Sequence, residues 1–229
     1  MKRLLEGYAR FSAEVFPKQA RLFQDLAHSQ RPSTLFITCS DSRVVPDMIL
    51  QSNPGDLFIC RNAGNIVPSY GEIHGGVSAT IEYAVMAVGV ENIIVCGHSD
   101  CGAMKAVLSG KKHEHMPTVD SWLQNAHSAR QVLESQSGIH VEGNAPKTHA
   151  EMLRALTRAN VVGQLQHLRT HPSVAAGLSR GKLNLYGWVY EIHTGKIQNF
   201  NSHQGRFFDL TGHSVPSPVA QPQLHLMAS

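Results

Sequence analysis

The fold of this chain is decided by a segment in which an apolar run, Thr34-Leu35-Phe36-Ile37-Thr38, leads directly into the polar cluster Cys39-Ser40-Asp41-Ser42-Arg43. A second segment repeats the arrangement, with Asn92-Ile93-Ile94-Val95-Cys96 ahead of His98-Ser99-Asp100-Cys101-Gly102. Short apolar runs of this kind are typical of buried strands. Because two strand ends in one sheet can lie side by side, side chains that are far apart in the sequence can converge there.

From residue 34 onward, apolar runs alternate with segments of helical spacing. The runs at about 34–38, 57–60 and 92–97 are interrupted by predicted helices at about 44–50 and 75–89. Continuously apolar strands separated by helices predict an α/β fold with a mostly parallel central sheet flanked by helices. Ligands of such sheets bind beyond the carboxyl ends of the strands, which is where both polar clusters fall.

The later segments predict further helices and two more strands. Predicted helices start near Gly102 and cover 117–135 and 149–180, and predicted strands cover Leu183–Ile192 and about 196–200. We expect one domain over residues 1–212 and a loosely ordered tail over 213–229, where prolines interrupt any apolar periodicity.

The first 29 residues predict a helical arm ahead of the sheet. Leu4, Leu5 and Tyr8 recur at helical spacing, and Pro17 predicts a break before a second helix that carries Phe23. Two helices ahead of the first core strand have no obvious place within such a sheet. Their apolar stripes therefore pack either on their own domain or on a second subunit.

Three side chains of the two clusters form a candidate metal site, namely Cys39, His98 and Cys101. Three nitrogen or sulfur ligands with a fourth position left to water are typical of catalytic zinc, whereas structural zinc usually has four protein ligands. Because two thiolates formally cancel the charge of Zn²⁺, its bound water should be less acidic than on a zinc held by three histidines. The sequence therefore predicts an enzyme that works better at mildly alkaline pH.

Two charged residues follow the first ligand at intervals of two. The Asp41 carboxylate can either coordinate zinc or accept a hydrogen bond from a zinc-bound hydroxide. Arg43 offers a bidentate guanidinium that holds this carboxylate away from the metal, which favours the second role. Asp100, between the ligands of the second cluster, is interpreted as a structural hydrogen-bond acceptor.

The composition excludes several classes of function. The 229 residues carry a net charge of only +3 and the basic residues are scattered, so nothing predicts binding to nucleic acid or to a membrane surface. No run of 18 apolar residues and no signal-peptide core occur, which predicts a cytoplasmic protein with reduced thiols. Cys60 and Cys96 lie within apolar runs and are assigned to packing.

The two clusters resemble the signature of the β-class carbonic anhydrases, in the form Cys39-x-Asp41-x-Arg43 with His98-x-x-Cys101. The likeness covers about residues 1–205 and is similar in particular to the bacterial subgroup associated with cyanate degradation. Further matching segments are Gly55-Asp56-Leu57-Phe58, Arg61-Asn62-Ala63-Gly64-Asn65, Gly75-Gly76-Val77-Ser78-Ala79, Ile81-Glu82-Tyr83-Ala84 and Gly187-Trp188-Val189-Tyr190.

This resemblance implies a function and an assembly. It implies one Zn²⁺ per subunit and the reversible hydration of CO₂ to bicarbonate and a proton by a zinc-bound hydroxide, with bicarbonate supplied to cyanate degradation. It also implies a homodimer or a dimer-based larger homo-oligomer, joined by the arm 1–29. The implied substrate-binding residues are Gln30, Phe58, Tyr83 and Gly102, alongside Asp41 and Arg43 as catalytic residues.

One position departs from part of that family. Some members close the site when the aspartate binds zinc, and a bicarbonate pocket lined by a Trp, an Arg and a Tyr stabilises that state. The corresponding residues here are Phe36, Arg61 and Tyr190. Because Phe36 has no indole N–H to donate to an anion, the departure favours a permanently open site.

Three alternatives remain beside CO₂ hydration. The same site suits a related heterocumulene such as carbonyl sulfide or carbon disulfide. A structural zinc or a redox-responsive binding module would use Asp41 as a fourth ligand. A cysteine phosphatase is disfavoured because that chemistry needs five residues between Cys and Arg, whereas Cys39 and Arg43 are separated by three.

Overall fold

One mixed sheet organises the molecule. The computed structural model describes residues 1–71, 75–135, 148–210 and 218–220. Within these ranges six strands pair in the order β2-β1-β3-β4-β5-β6. They are β1 Thr34–Cys39, β2 Leu57–Asn62, β3 Asn92–His98, β4 Asn184–Tyr190, β5 Ile197–Asn201 and β6 Arg206–Asp209. The pairs among β1 to β4 are parallel and the last two are antiparallel, so the predicted mostly parallel sheet is confirmed.

Helices flank this sheet and precede it. The α-helices are α1 Lys2–Arg10, α2 Phe16–Leu26, α3 Pro46–Leu50, α4 Gly76–Tyr83, α5 Gly102–Ser109, α6 Pro117–Leu123, α7 His127–Glu134, α8 His149–Thr170 and α9 Pro172–Ser179. The single helix predicted over 149–180 is interrupted at His171, because the residue before Pro172 is extended, with a ψ of 125°. None of the helices in these ranges combines the length and apolar character that a bilayer crossing requires.

The predicted break at Pro17 is wrong. Helical backbone continues from α1 into α2 through a π-helical turn, Phe11–Val15, and Pro17 lies in the first turn of α2. A proline inside a helix removes one N–H and crowds the carbonyl four residues earlier. The wider π turn directly before Pro17 accommodates both effects. Helical backbone therefore runs from α1 into α2 without a break.

Helix α8 packs directly on the centre of the sheet. Gly97 in β3 and Gly187 in β4 lie beneath it, and a Cβ on Gly187 would be 2.8 Å from Leu165 Cδ1 and 2.9 Å from Val161 Cγ1. Val161 and Leu165 are fully buried. The two glycines therefore let the helix approach the strands whose ends carry the polar clusters.

The arm and the tail differ in how they meet this body. Leu4, Leu5 and Tyr8 of α1 are each more than 60% exposed. In the predicted tail the described residues are 218–220, where Val219 is buried and its N–H donates to Leu185 O at 2.7 Å. The other residues of the predicted tail, 213–217 and 221–229, lie outside the described residues.

Candidate active site

The carboxyl ends of β1 and β3 bring together the predicted metal ligands. Cys39 is the last residue of β1, His98 is the last residue of β3, and Cys101 caps the N-terminus of α5. One ligand atom of each lies within 4.8 Å of the others, and all three residues are buried. Pairing of β1 with β3 in parallel therefore converts two distant sequence motifs into one three-ligand site.

The imidazole of His98 has the tautomer and the free nitrogen that metal binding requires. Its Nδ1 lies 2.9 Å from Ser99 O, and since a carbonyl can only accept, Nδ1 carries the proton and donates. Nε2 is then left with a lone pair. Within the described residues this buried nitrogen has no hydrogen-bond partner, which would be costly unless a ligand completes it.

The two cysteines share a hydrogen bond that shifts their pKa values in opposite directions. A hydrogen bond from the Cys101 thiol lowers the pKa of Cys39, and the same contact, together with burial, raises the pKa of Cys101. The backbone N–H groups of Met104 and Ala103, at the start of α5, act in the opposite direction on Cys101. Because metal ligation requires thiolates, a divalent cation held by Cys39 and Cys101 would take the place of the proton that the pair shares. Two thiolates and one imidazole are a donor set that fits zinc.

Arg43 holds Asp41 beside this cluster. Arg43 Nε donates to Asp41 Oδ1 at 2.9 Å, Nη2 donates to Oδ2 at 2.8 Å, and the backbone N–H of Arg43 donates to Oδ1 at 3.0 Å. These bonds from Arg43 hold the pKa of Asp41 well below its usual range. Asp41 Oδ2 is 3.9 Å from His98 Nε2, so the carboxylate lies next to the ligand cluster while its oxygens are occupied by the guanidinium.

A loop after β2 supports the first ligand, and sequence reasoning missed it. The N–H of Gly64 donates to Cys39 Sγ at 3.4 Å. Asn62 closes the loop, because its side chain accepts from Ile66 N at 2.7 Å and donates to Ile66 O at 2.9 Å. From α8, Asn160 Nδ2 donates to Gly64 O at 3.1 Å. The only sequence signal for this support is the glycine- and asparagine-rich segment after β2.

The predicted substrate residues are not gathered around the ligands of one chain. Phe58 and Tyr83 do contact each other, with ring centroids 6.0 Å apart. Phe58, however, pairs with Leu35, four residues before Cys39. At about 3.3 Å per residue it lies roughly 13 Å along the sheet from that ligand. Gln30 is exposed in the coil after the arm, and Gly102, at the start of α5 and adjacent to Cys101, is the one predicted substrate residue next to the cluster.

Comparison with curated proteins identifies relatives along nearly the whole chain. A family model described as carbonic anhydrase matches residues 34–197. The chain is 47% identical over 213 residues to a carbonic anhydrase of Pseudomonas aeruginosa, and the alignment covers 93% of each protein. It is also 47% identical over 224 residues to carbonic anhydrase 1 of Escherichia coli O157:H7, covering 97% of this chain and 99% of the relative.

Solved structures agree with these sequences. The β-carbonic anhydrase CcaA matches with a TM-score of 0.85 at 40% identity and covers 93% of both chains. A β-carbonic anhydrase of the ascomycete Sordaria macrospora, described as tetrameric, matches with a TM-score of 0.77 at 28% identity, over 87% of this chain and 96% of that one. The family match, the two relatives and the fold likeness agree with the Cys-His-Cys cluster at the edge of a mostly parallel sheet, so this chain belongs to the β-class carbonic anhydrases and is a lyase.

Proposed function

We propose that this chain catalyses the zinc-dependent, reversible hydration of CO₂ to bicarbonate and a proton, with Cys39, His98 and Cys101 as the zinc ligands. The observation that carries the proposal is the buried Nε2 of His98, which has no partner among the described residues and lies beside two thiols that share a hydrogen bond. A zinc ion would supply Lewis acidity that makes water a nucleophile near neutral pH. The remaining chemistry belongs to the side chains around the cluster.

Asp41 has the role of a hydrogen-bond acceptor for the attacking oxygen. An ionised carboxylate can only accept, so it selects an oxygen that carries a hydrogen and orients its lone pair toward carbon. Arg43 keeps this carboxylate ionised and restrains it beside the ligands, since its bidentate contact engages both oxygens and still leaves a lone pair for one further donor. This arrangement supports an open fourth position and argues against Asp41 as the closing ligand of a structural zinc site.

The substrate pocket is proposed to form between subunits. Phe58 and Tyr83 together make an apolar surface suited to an uncharged gas, but they lie away from the ligands of their own chain. A second copy that brings these rings and Gln30 toward the cluster would complete the pocket beside Gly102. The exposed apolar face of α1 and the described tetramer of the Sordaria relative support a homodimer or a dimer-based larger assembly.

The site is proposed to stay open without regulation by bicarbonate. Phe36 is 1% exposed and stacks edge-on against Trp188, with ring centroids 6.1 Å apart, so it presents no donor to an anion. Arg61 already donates to the backbone oxygens of Cys39 at 3.1 Å and of Asp41 at 2.8 Å. Kinetics that reveal inhibition by bicarbonate at a site away from the metal would contradict this proposal.

The proposal extends to the metabolic context and the cellular location of the activity. Supply of bicarbonate to cyanate degradation follows from the motif resemblance alone, and it would be tested by growth of a deletion strain on cyanate with and without added CO₂.

A cytoplasmic location suits the four free cysteines, two of which must be thiolates to bind zinc. Fractionation of the source cells, with activity measured in each fraction, tests it.

The decisive experiment is stopped-flow CO₂ hydration with the zinc content measured in the same sample. The unaltered protein should hold about one zinc per subunit, and Cys101→Ala should lose both zinc and activity. Cys96→Ala is the matched control, because Cys96 is also a buried cysteine near the end of β3 but lies outside the ligand cluster. Full zinc occupancy in Cys101→Ala would sink the ligand assignment, and hydrolysis of carbonyl sulfide without CO₂ hydration would favour the alternative substrate.

A further inference from the structure

Asp100 adopts a backbone conformation that ordinary residues avoid. Its φ is +60°, in the left-handed region, where glycine is unstrained and where Asn and Asp are the best tolerated of the other residues. The residue stands between two metal ligands, His98 and Cys101, at the turn from β3 into α5. The left-handed turn places both the carboxylate and the backbone oxygen of Asp100 next to Arg43.

Asp100 binds the edge of the Arg43 guanidinium that Asp41 leaves free. Arg43 Nη1 donates to Asp100 Oδ2 at 3.1 Å, and Arg43 Nη2 donates to Asp100 O at 3.2 Å. The other carboxylate oxygen, Oδ1, is paired with Lys105 of α5. Two carboxylates and two cations therefore form a continuous chain, Asp41-Arg43-Asp100-Lys105, that connects the two sequence clusters.

The Arg43 side chain needs such a second anchor. It is 44% exposed, and a long exposed side chain held by one partner has many competing rotamers. The guanidinium is planar and rigid, so fixing two of its edges fixes the direction in which Nε and Nη2 point. We propose that Asp100 is a positioning residue that acts through Arg43 to hold Asp41 in its accepting orientation, an inference that rests on the proposed roles of Asp41 and Arg43.

Two variants of Asp100 separate its carboxylate from its backbone conformation. Asp100→Asn keeps a side chain that tolerates the left-handed region but removes the charge, and Asp100→Gly removes the side chain and relieves the backbone. Both variants should bind zinc normally and lose about tenfold in kcat/KM for CO₂. The loss should lie in kcat, while KM stays unchanged, because Asp41 acts on the transition state. Crystal structures of both variants should show the Arg43–Asp41 contacts lengthened or replaced.

Gln51→Gly is the matched control for backbone relief. Gln51 also has a positive φ, of 52°, and its side chain donates to Met48 O at the end of α3. Its replacement should change thermal stability at most and leave the kinetics unaltered. A kinetic loss equal to that of Asp100→Gly would show that the effect reflects general destabilisation and would overturn the inference.

A double-mutant cycle with Arg43 gives the sharpest test. If Asp100 acts only through Arg43, Asp100→Gly should cost about tenfold in the unaltered protein and nothing further in Arg43→Ala. Equal losses in both backgrounds, or unchanged kinetics with intact Arg43–Asp41 contacts in both Asp100 variants, would overturn the inference. Asp41→Ala is measured in parallel: if it is fully active, the proposed role of Asp41 fails, whereas if it is inactive and the Asp100 variants are normal, only the role of Asp100 fails.

Discussion

At the scale of single residues, the chemistry depends on which groups already have partners. Asp41 accepts three hydrogen bonds from Arg43, whereas Nε2 of His98 has none from any described residue. The Asp41 carboxylate keeps room for one further donor, since its two oxygens offer about four lone-pair sites, and it lies 3.9 Å from the partnerless Nε2 of His98. In the proposed function the nitrogen would bind the metal and the carboxylate would accept from the reacting oxygen.

Replacing either member of the Asp41–Arg43 pair should therefore have a different structural result. Asp41→Ala should keep zinc and lower kcat/KM by about 100-fold, because a transition-state acceptor is lost. Arg43→Ala should lower activity similarly, because the released Asp41 turns onto the metal and closes the site. Zinc analysis, stopped-flow kinetics and a crystal structure of each variant check this. An open fourth position with normal rates in Arg43→Ala would count against the restraining role.

At the scale of elements, α8 both covers the sheet and holds the loops that carry the site. A row of its polar side chains faces the segment after β2, where Asn160 binds Gly64 O, Gln164 Oε1 accepts from Val67 N at 2.8 Å, and His167 binds Val67 O at 2.7 Å. The helix can do this only because it lies close to β3 and β4. Its distance from the strands is set by the absence of side chains at Gly97 and Gly187.

Gly187→Ala should destabilise the protein. The added Cβ would lie under 3.0 Å from Leu165 Cδ1 and Val161 Cγ1, so these buried side chains or the helix that carries them must shift, at a cost of about 1–3 kcal/mol. Gly163→Ala is a control on α8 itself, since its Cβ meets only Ser128 Oγ at 3.7 Å. That change should stabilise by about 0.5–1 kcal/mol through helix propensity. Urea unfolding of the two variants measures both values, and a neutral Gly187→Ala would contradict the close approach.

The junction between α8 and α9 should make stability depend on pH. Burial lowers the pKa of His171, and its Nε2 lies 3.0 Å from Pro68 O, where the neutral ring donates. His167 lowers this pKa further, and Glu82 opposes the shift. The unfolded chain, with a histidine pKa near 6.5, takes up the proton at a higher pH than the folded one. The contribution of His171 to the free energy of unfolding is therefore fully present above pH 6.5. It is lost as the pH drops from there toward the lowered pKa of the folded state.

The variant His171→Gln isolates this contribution, because a glutamine amide can still donate to Pro68 O. The free energy of unfolding should fall less steeply, as the pH drops below about 6.5, than it does in the unaltered protein. His193→Gln, at an exposed position, serves as the control and should keep the original slope. Urea titrations at several pH values provide the measurement, and identical slopes in all three proteins would show that His171 is not responsible.

Sequence patterns predicted the elements better than their ends and their partners. The strands were expected to end at about 38 and 97, yet Cys39 and His98 still belong to them because they pair with Asn62 and Tyr190. Strand β6 was not predicted, because a short edge strand has no continuous apolar run. The contact of Asn160 with Gly64 spans 96 positions, so no local pattern could indicate it.

At the scale of the whole molecule, a large apolar face is left uncovered by the part of the chain that the structure describes. Leu4, Leu5 and Tyr8 line one side of α1, while Phe11, Phe16 and Phe23 contact one another at centroid distances of 5.2 to 6.1 Å. Phe58 lies roughly 13 Å from Cys39 along the sheet, so in the proposed pocket this ring would have to come from a second copy. Sequence reasoning could list these residues but not assign them to a subunit.

Removal of the arm should therefore change the assembly. A chain that lacks residues 1–29 should be monomeric or insoluble and should lose activity, because the pocket is no longer completed by a second copy. Tyr8→Asp keeps the helix but places a charge on the exposed face, and it should weaken the assembly without altering zinc content. Light scattering and stopped-flow kinetics are the measurements. A soluble, active dimer of the truncated chain would refute the role of the arm.

Because the metal ligands lie on both β1 and β3, a bound metal would stabilise only the correct register of these two strands. Side chains alternate between the two faces of a strand, so a slip of one residue would carry Cys39 to the face opposite its usual one. His98 and Cys101 would then be left with one ligand too few. Metal binding would thus favour correctly aligned chains during folding, and adding zinc to a refolding mixture should raise the yield of correctly aligned protein.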